Sequence, residues 1–180
     1  MSTPYDFKRK FALLDTNILV EIARRTNKSD DFKPVFEFLE ENETQIFITD
    51  ATKFEFLSFY NNKKDFDAYE KLLNPFTCVP LIPKDIELAT KLKAMYRCRD
   101  SNIDKKQISF IDCLQATQVI KHKTSSFIIT TDVNDYPSFL FDLVHIIPIE
   151  KDSGQTVFVV FKIFNEAKWK NLENRYDLSG

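Results

Sequence analysis

The sequence predicts an α/β fold in which helices cover both faces of a central, mainly parallel sheet. Strand-like apolar runs alternate with helical patterns over most of the chain, which is typical of strands joined by crossover helices. The 180 residues are 43% hydrophobic and include 18 phenylalanines spread along the chain, enough apolar surface for one well-filled core. We therefore expect a three-layer α/β/α sandwich.

The first third of the chain establishes the alternation. An apolar run predicts a strand at 11–14, and helical spacing follows at 18–25. The same spacing predicts a second helix at 32–41. The next apolar run predicts a strand at 45–49, and a helical pattern continues from it at 51–60.

The middle of the chain adds two longer helices. An amphipathic stretch predicts a helix at 64–73, which an Asn-Pro pair ends, and a short strand is predicted at 76–81. Apolar residues at three- and four-residue spacing predict a helix at 85–99, with basic residues on its other sides. A polar loop is predicted at 100–107, before a further helix at 109–121.

Strands predicted at 127–131 and 143–148 complete a domain that we place at residues 1–150. The segment 151–180 differs in character, because a nearly continuous apolar run at 156–164 precedes a last helix. An apolar edge strand needs cover. We expect this segment to add an edge strand and a helix packed on the same domain, in preference to a dimer or partner surface.

Several classes of protein are excluded by what the sequence lacks. With two glycines, the chain has no glycine-rich loop for a nucleotide phosphate, which argues against Rossmann and P-loop chemistry. With two histidines, no H-E-x-x-H and no G-x-S-x-G, neither a histidine-built zinc site nor a serine hydrolase is favoured. Three cysteines without a C-x-x-C pair argue against a disulfide framework and structural zinc. Any chemistry must come from carboxylates.

The sequence also bounds the location of the protein. No stretch approaches the roughly 20 apolar residues of a membrane span. The first ten residues carry charges in place of the apolar core of a signal peptide. We expect a cytoplasmic protein with no membrane partner.

Four acidic residues occupy positions that would converge in such a fold. Asp15 and Asp132 each follow a predicted strand, and Glu55 and Asp112 lie early in predicted helices. In open α/β sheets, ligands bind beyond the carboxyl ends of the strands. Like charges there cost about 4 kcal/mol per close pair at an effective dielectric near 20, unless a cation lies among them. Oxygen ligands alone favour Mg²⁺ or Mn²⁺ over zinc.

Each acid also has a local structural explanation. The sequence leaves open whether each acid binds a metal or has this structural role. Asp15 could cap the following helix. Glu55 and Asp112 each follow a Thr or Ser by three residues, which is the spacing of a capping box. Asp132 and Asp135 could form turns.

Four segments, in order, resemble the PIN domain, the metal-dependent nuclease fold of VapC-type toxins and many RNA-processing proteins. LLDTNIL at 13–19 resembles the family's opening, and the segment 49–57 its second acidic segment. ISFIDCLQAT at 108–117 is similar to the third acidic helix, and ITTDVNDY at 129–136 to the last acidic segment. The resemblance covers roughly residues 11–149.

The resemblance implies a phosphodiester hydrolase that acts on RNA with Mg²⁺ or Mn²⁺. A bound ion would activate a water molecule. Attack by this water would give a product with a 5′-phosphate. The implied catalytic and metal-binding residues are Asp15, Glu55, Asp112 and Asp132, with Asp135 as a reserve ligand and Asn17 and Thr130 as orienting residues. The candidate phosphate contacts form two clusters, although such a cluster is more often just a solvated helix face: Arg24, Arg25 and Lys28, and Arg97, Arg99, Lys105 and Lys106.

The resemblance also implies partners and leaves rival functions open. A VapC-type toxin would have an antitoxin partner, and a homodimer is a further expectation. Two members of the acidic helix, Gln115 and Ala116, stand where some relatives carry another acid. The first rival is therefore an inactive PIN-like interaction module. The second, ranked lower, is a phosphotransfer or phosphatase domain built on an acceptor aspartate.

Overall fold

The fold is described from a computed structural model, which covers residues 5–24, 29–60, 62–97, 108–151 and 154–176. The polar loop predicted at 100–107 lies outside these residues. Within them, no helix has both the length and the apolar character needed to cross a membrane.

A six-stranded sheet forms the centre of the described part of the chain. Its strand order is β3-β2-β1-β4-β6-β5. The first four of these strands are mutually parallel, whereas β6 pairs antiparallel with both β4 and β5. The strands are β1 (Phe11–Leu14), β2 (Gln45–Thr49), β3 (Thr77–Val79), β4 (Ser126–Thr130), β5 (Phe141–Glu150) and β6 (Thr156–Phe164).

Helices lie between the strands as the sequence predicted, with boundaries that differ by a few residues. The helices are α1 (Thr16–Arg24), α2 (Lys33–Glu41), α3 (Asp50–Ser58), α4 (Lys63–Leu73), α5 (Pro83–Arg97), α6 (Phe110–His122) and α7 (Glu166–Tyr176). The predicted α/β fold with a mainly parallel sheet is confirmed.

The sheet separates two hydrophobic clusters, because successive residues of a strand point to opposite faces. In β1, Leu13 packs in one cluster, together with residues of α5, α6 and α7. Its neighbours Ala12 and Leu14 pack in the other, with residues of α1, α2 and α4. Each face of the sheet is therefore covered by its own helical layer.

A buried carboxylate joins α5 to α6. Asp85, in the first turn of α5, is fully buried and accepts a hydrogen bond from the backbone N–H of Ile82 (2.9 Å). Two residues of α6 donate to the same carboxylate, Gln118 (3.0 Å) and Lys121 (2.8 Å). This contact fixes the orientation of α6 relative to α5.

The prediction that residues 156–164 form an edge strand was wrong. β6 lies between β4 and β5, and β5 is the edge strand on this side of the sheet. The physical reason is apolar burial, since Val159, Val160 and Phe161 of β6 are at most 2% exposed and need neighbours on both sides. β5 suits an edge better, because it contains Pro148 and a register irregularity. Trp169 of α7 is 8% exposed and packs in the same cluster as α5 and α6.

Candidate active site

A pocket of about 240 Å³ opens near the carboxyl ends of β1 and β4. Five acidic residues line it, together with polar, apolar and basic side chains. The acidic residues are Asp15, Glu21, Glu55, Asp112 and Asp135. The others are Thr16, Asn17, Val20, Arg24, Phe59 and Thr131.

Asp15 is the most deeply buried of these acids. It follows β1 directly and is 3% exposed. Its Oδ2 accepts hydrogen bonds from Nδ2 of Asn17 (2.7 Å) and Oγ1 of Thr130 (2.6 Å). Burial raises the pKa of Asp15 to about 8, opposed by the hydrogen bond from Thr130 and reinforced by the negative charges of Asp112 and Asp135.

Asn17 links the ends of two neighbouring strands. Besides donating to Asp15, its Nδ2 lies 2.8 Å from Oγ1 of Thr130, and its Oδ1 accepts a hydrogen bond from the backbone N–H of Thr131 (3.0 Å). The amide therefore holds the residues after β4 against the start of α1. This places both Asn17 and Thr130 where they can orient Asp15.

Glu55 stands at the end of a buried chain of hydrogen bonds. The Tyr136 hydroxyl donates to Oε1 of Gln115 (2.7 Å), and Nε2 of Gln115 donates to Oγ1 of Thr16 (2.9 Å). The Thr16 hydroxyl then donates to Oε2 of Glu55. Burial raises the pKa of Glu55, the hydrogen bond from Thr16 lowers it, and Asp112 and Asp135 raise it further. Gln115, which stands where some relatives carry an acid, thus orients another residue of the site.

Asp112 serves the helix and the pocket together. Its Oδ2 accepts from the backbone N–H of Ser109 (3.0 Å), and its own N–H donates to Oγ of Ser109 (3.0 Å), so the predicted capping box of α6 is confirmed. The capping box predicted for Glu55 was wrong. Because α3 begins at Asp50, the box forms between Thr49 and Thr52.

The two remaining acids, Asp132 and Asp135, both lie in the loop after β4 but differ in their position relative to the pocket. Asp135 lines the pocket and Asp132 does not. The backbone N–H of Asp132 donates to Oγ1 of Thr130 (3.0 Å), and Oδ1 of Asp132 accepts from the N–H of Asn134 (2.8 Å), which is a turn-forming arrangement. The structure therefore brings Asp15, Glu55, Asp112 and Asp135 together.

Residues 12–134 match the family model of the PIN domain, which is well over half of the chain. The chain belongs to the PIN-domain family. This confirms the resemblance at the level of the family, whose members are nucleases that generally use divalent metals. A comparison with curated proteins gave no match. The matched segment of this PIN domain ends before Asp135, β5 and β6.

One candidate phosphate contact lies at the pocket of the PIN domain. Arg24, in the last turn of α1, lines the pocket, and its side chain is 74% exposed with Glu21 at 4.0 Å. Arg97 ends α5 and does not line the pocket. The other candidates, Arg25, Lys28, Arg99, Lys105 and Lys106, lie outside the described residues.

The donor set suits a hard divalent cation. It consists of carboxylate oxygens, and the side chains bonded to Asp15 and Glu55 are neutral donors. As placed in the described part of the chain, no three Asp, Glu, His or Cys side chains are close enough together to hold a metal ion. The more exposed carboxylates of Glu55, Asp112 and Asp135 would therefore have to turn toward Asp15 when an ion binds.

The sequence-based prediction missed several residues of this site. Glu21 shares a helical face with Asn17, Val20 and the predicted Arg24, and the i, i+3, i+4, i+7 spacing could have indicated this. Thr16 lies inside the Asp-Thr-Asn motif itself. The hydrogen-bonded roles of Gln115 and Tyr136 depend on contacts between distant segments, and no local pattern indicates them.

Proposed function

We propose that this PIN domain is a divalent-metal-dependent ribonuclease that hydrolyses RNA phosphodiester bonds. The observation that carries the proposal is the buried carboxylate of Asp15 at a pocket lined by four further acids. Carboxylates gathered in this way repel one another, and a divalent cation removes that repulsion. The family-level nuclease function supports the same conclusion.

Mg²⁺ or Mn²⁺ would be held by Asp15, Glu55, Asp112 and Asp135. When bound, the ion would activate a water molecule and neutralise the charge that develops on the phosphate. Asn17 and Thr130 keep the carboxylate of Asp15 in one orientation, and Thr16 does the same for Glu55. Asp132, proposed from the sequence as a fourth ligand, does not line the pocket, and its carboxylate accepts a hydrogen bond from Asn134 in the loop that carries Asp135.

RNA would enter over the exposed side of the pocket. Arg24 is the basic side chain that lines the described pocket, and it can contact a phosphate next to the scissile one. Phe59 is 61% exposed at the same rim and offers an aromatic face to a base. Since the chain has a net charge of −2, binding relies on such local contacts and on the metal charge more than on a broad basic surface.

The direct test is cleavage of a mixed RNA pool by purified protein with Mn²⁺ or Mg²⁺, with EDTA, and with the variant Asp15→Asn. Asp50→Asn is the matched control, because Asp50 also lies directly after a strand but contacts Cys78 and the N–H of Leu81 outside the pocket. We expect cleavage by wild type and Asp50→Asn with either metal, and none with EDTA or from Asp15→Asn. Absence of cleavage by folded wild-type protein, together with absence of Mn²⁺ binding, would favour an inactive interaction module.

The VapC-type resemblance extends the proposal to a toxin role with an antitoxin partner. Overproduction of the wild type should then arrest growth, and Asp15→Asn should abolish the arrest. Normal growth at a high level of soluble wild-type protein would remove the toxin role and leave the nuclease proposal standing.

A further inference from the structure

A buried lysine lies in the middle of β6, outside the segment that matches the family. Lys162 is 5% exposed, and its backbone is paired with Ile128 of β4 and Leu143 of β5. Its Nζ donates hydrogen bonds to the carbonyl oxygens of Val133 (2.6 Å) and Tyr136. The neighbours of Lys162 in β6 are apolar, so this charged side chain calls for a specific explanation.

The two carbonyl groups lie on either side of Asp135 in the loop 131–136. Asn17 and Thr130 hold the beginning of the same loop through the N–H groups of residues 131 and 132. Lys162 holds its second half through the carbonyl groups of residues 133 and 136. The loop is thus attached to α1, to β4 and to β6, and Asp135 lies between these attachments.

The contact with Tyr136 connects Lys162 to a second part of the site. The hydroxyl of Tyr136 begins the hydrogen-bond chain that runs through Gln115 and Thr16 to Glu55. Fixing the backbone of Tyr136 therefore also fixes the start of this chain. Two pocket acids, Asp135 directly and Glu55 through the chain, depend on the position of one loop.

The electrostatic setting agrees with this contact. Burial lowers the pKa of Lys162 to about 8, while the negative charges of Asp132 and Asp135 raise it. Burying an ammonium group is unfavourable unless hydrogen bonds and opposite charges compensate it. Both kinds of compensation come from the loop 131–136.

We propose that Lys162 is a positioning residue that holds the loop 131–136 at the acidic pocket before a cation binds. The importance of that position for metal binding rests on the proposed nuclease function. The placement of the loop itself does not, and the two can be tested separately.

The first experiment measures amide hydrogen exchange of the metal-free wild type by NMR. If Lys162 preforms the loop, the hydrogen-bonded amides of Thr131, Asp132 and Asn134 should be protected without metal, and Mg²⁺ should add little protection. Exchange of these amides at unprotected rates until Mg²⁺ is added would overturn the proposal, because the ion would then position the loop.

The second experiment compares Lys162→Met with Lys168→Met. Lys168 is the matched control, since it belongs to the same C-terminal segment and also donates to a backbone carbonyl, that of Ser138 (2.5 Å), and to Asp142 (2.6 Å). We expect Lys162→Met to accelerate exchange in the loop 131–136 at least tenfold, whereas Lys168→Met should leave the loop unchanged. Equal effects of the two variants would overturn the proposal.

The third measurement is the Mn²⁺ affinity, determined by calorimetry. Its direction of change is decisive, because loss of a charge and loss of a positioning residue change the affinity in opposite directions. Removing a positive charge near the pocket would by itself tighten cation binding. Loss of a positioning residue weakens metal binding by roughly 10- to 100-fold in other sites. We expect about tenfold weaker Mn²⁺ binding by Lys162→Met and wild-type affinity for Lys168→Met, and unchanged or tighter binding by Lys162→Met would overturn the proposal.

The outcomes separate the inference from the proposed function. Absence of Mn²⁺ binding by the wild type would refute the nuclease proposal, while the metal-free exchange measurement would still decide the role of Lys162. If Lys162→Met does not fold, the wild-type exchange measurement still decides whether the loop is in place before a cation binds, and an unprotected loop would overturn the proposal.

Discussion

The carboxyl group of Asp15 meets two opposing demands. A metal ligand has to be ionised, yet burial raises the pKa of Asp15 to about 8, against about 3.9 for an aspartate in an unfolded chain. The folded metal-free protein therefore binds this proton more tightly than the unfolded chain does. The resulting stabilisation is fully present below about pH 4 and is lost as the pH rises toward 8.

Asp15→Asn should consequently stabilise the metal-free protein at alkaline pH. Asparagine keeps an oxygen for the hydrogen bonds from Asn17 and Thr130 and carries no charge. We expect a higher melting temperature than wild type at pH 8 in EDTA, a difference that shrinks toward pH 5, and a stabilising effect of Mn²⁺ on wild type only. A variant that is less stable than wild type at both pH values would contradict this electrostatic account.

Phe59 permits a test of substrate contact at one residue. Stacking of a base on an aromatic ring contributes roughly 1–3 kcal/mol. In the Asp15→Asn background, which prevents cleavage, Phe59→Ala should weaken binding of a short single-stranded RNA about tenfold. Fluorescence anisotropy with a labelled RNA measures this.

Phe54→Ala is the matched control for that measurement. Phe54 lies in α3, which ends directly before Phe59, and it is 67% exposed but does not line the pocket. Its removal should leave RNA affinity unchanged. Equal losses for the two variants would mean that Phe59 makes no specific contact with a base.

Strand ends and helix starts made part of this site predictable. Asp15, Glu55 and Asp112 could be named from the sequence because their positions follow from the type of element and its boundary. Which of Asp132 and Asp135 lines the pocket could not be predicted in this way. It depends on how a four-residue turn directs its side chains, and on contacts with Lys162 from a strand about thirty residues later.

At the scale of elements, the position of α6 depends on the buried carboxylate of Asp85. Burial would raise the pKa of Asp85, but hydrogen bonds from Lys121, from the N–H of Ile82 and from Gln118 outweigh it and hold the pKa below its ordinary value. The stabilisation is therefore present above the pKa of an unfolded aspartate. It is lost as the pH falls through the lower pKa of the folded protein.

Asp85→Ala should destabilise the protein by about 2 kcal/mol at neutral pH, since it leaves the buried amide of Gln118 without its acceptor. The difference from wild type should decrease at pH 3. Urea unfolding at the two pH values measures both effects, with Asp142→Ala as a control for loss of a partly exposed, lysine-paired carboxylate. A difference that grows toward pH 3 would show that the ionised form is not the stabilising one.

The alternation of strands and helices could be predicted because the spacing of apolar residues along the chain depends directly on whether the local structure is a helix or a strand. The place of β6 in the sheet was not readable from the same pattern. Strand order is decided by which arrangement buries the most apolar surface over the whole sheet. The apolar character of residues 156–164 showed that this strand needed cover without showing that β4 and β5 would provide it on both sides.

At the scale of the whole molecule, the C-terminal segment is built into the sheet. Truncation after Glu150 would remove β6, leave β5 without its partner strand and expose the edge of β4 that pairs with β6. We expect this shortened protein to be insoluble or unfolded. Truncation after Asn165 removes only α7 and should give a folded protein of lower stability, because Trp169 no longer covers its cluster.

Circular dichroism and thermal melting of the two truncated proteins distinguish these outcomes. A stable, cooperatively folding fragment 1–150 would show that the first 150 residues form an independent domain. It would also show that β6 is an accessory strand despite its interior position.

The interior position of β6 also constrains the order in which the chain can fold as it is synthesised. β4 can pair with β1 as soon as it leaves the ribosome, whereas β5 cannot take its place in the sheet until β6, which lies between β4 and β5, has been translated. The acidic loop directly after β4 therefore gains its contact with Lys162 only once β6 has been translated. The pocket of this nuclease family member would in this way be completed only after the strand that closes its sheet has been made.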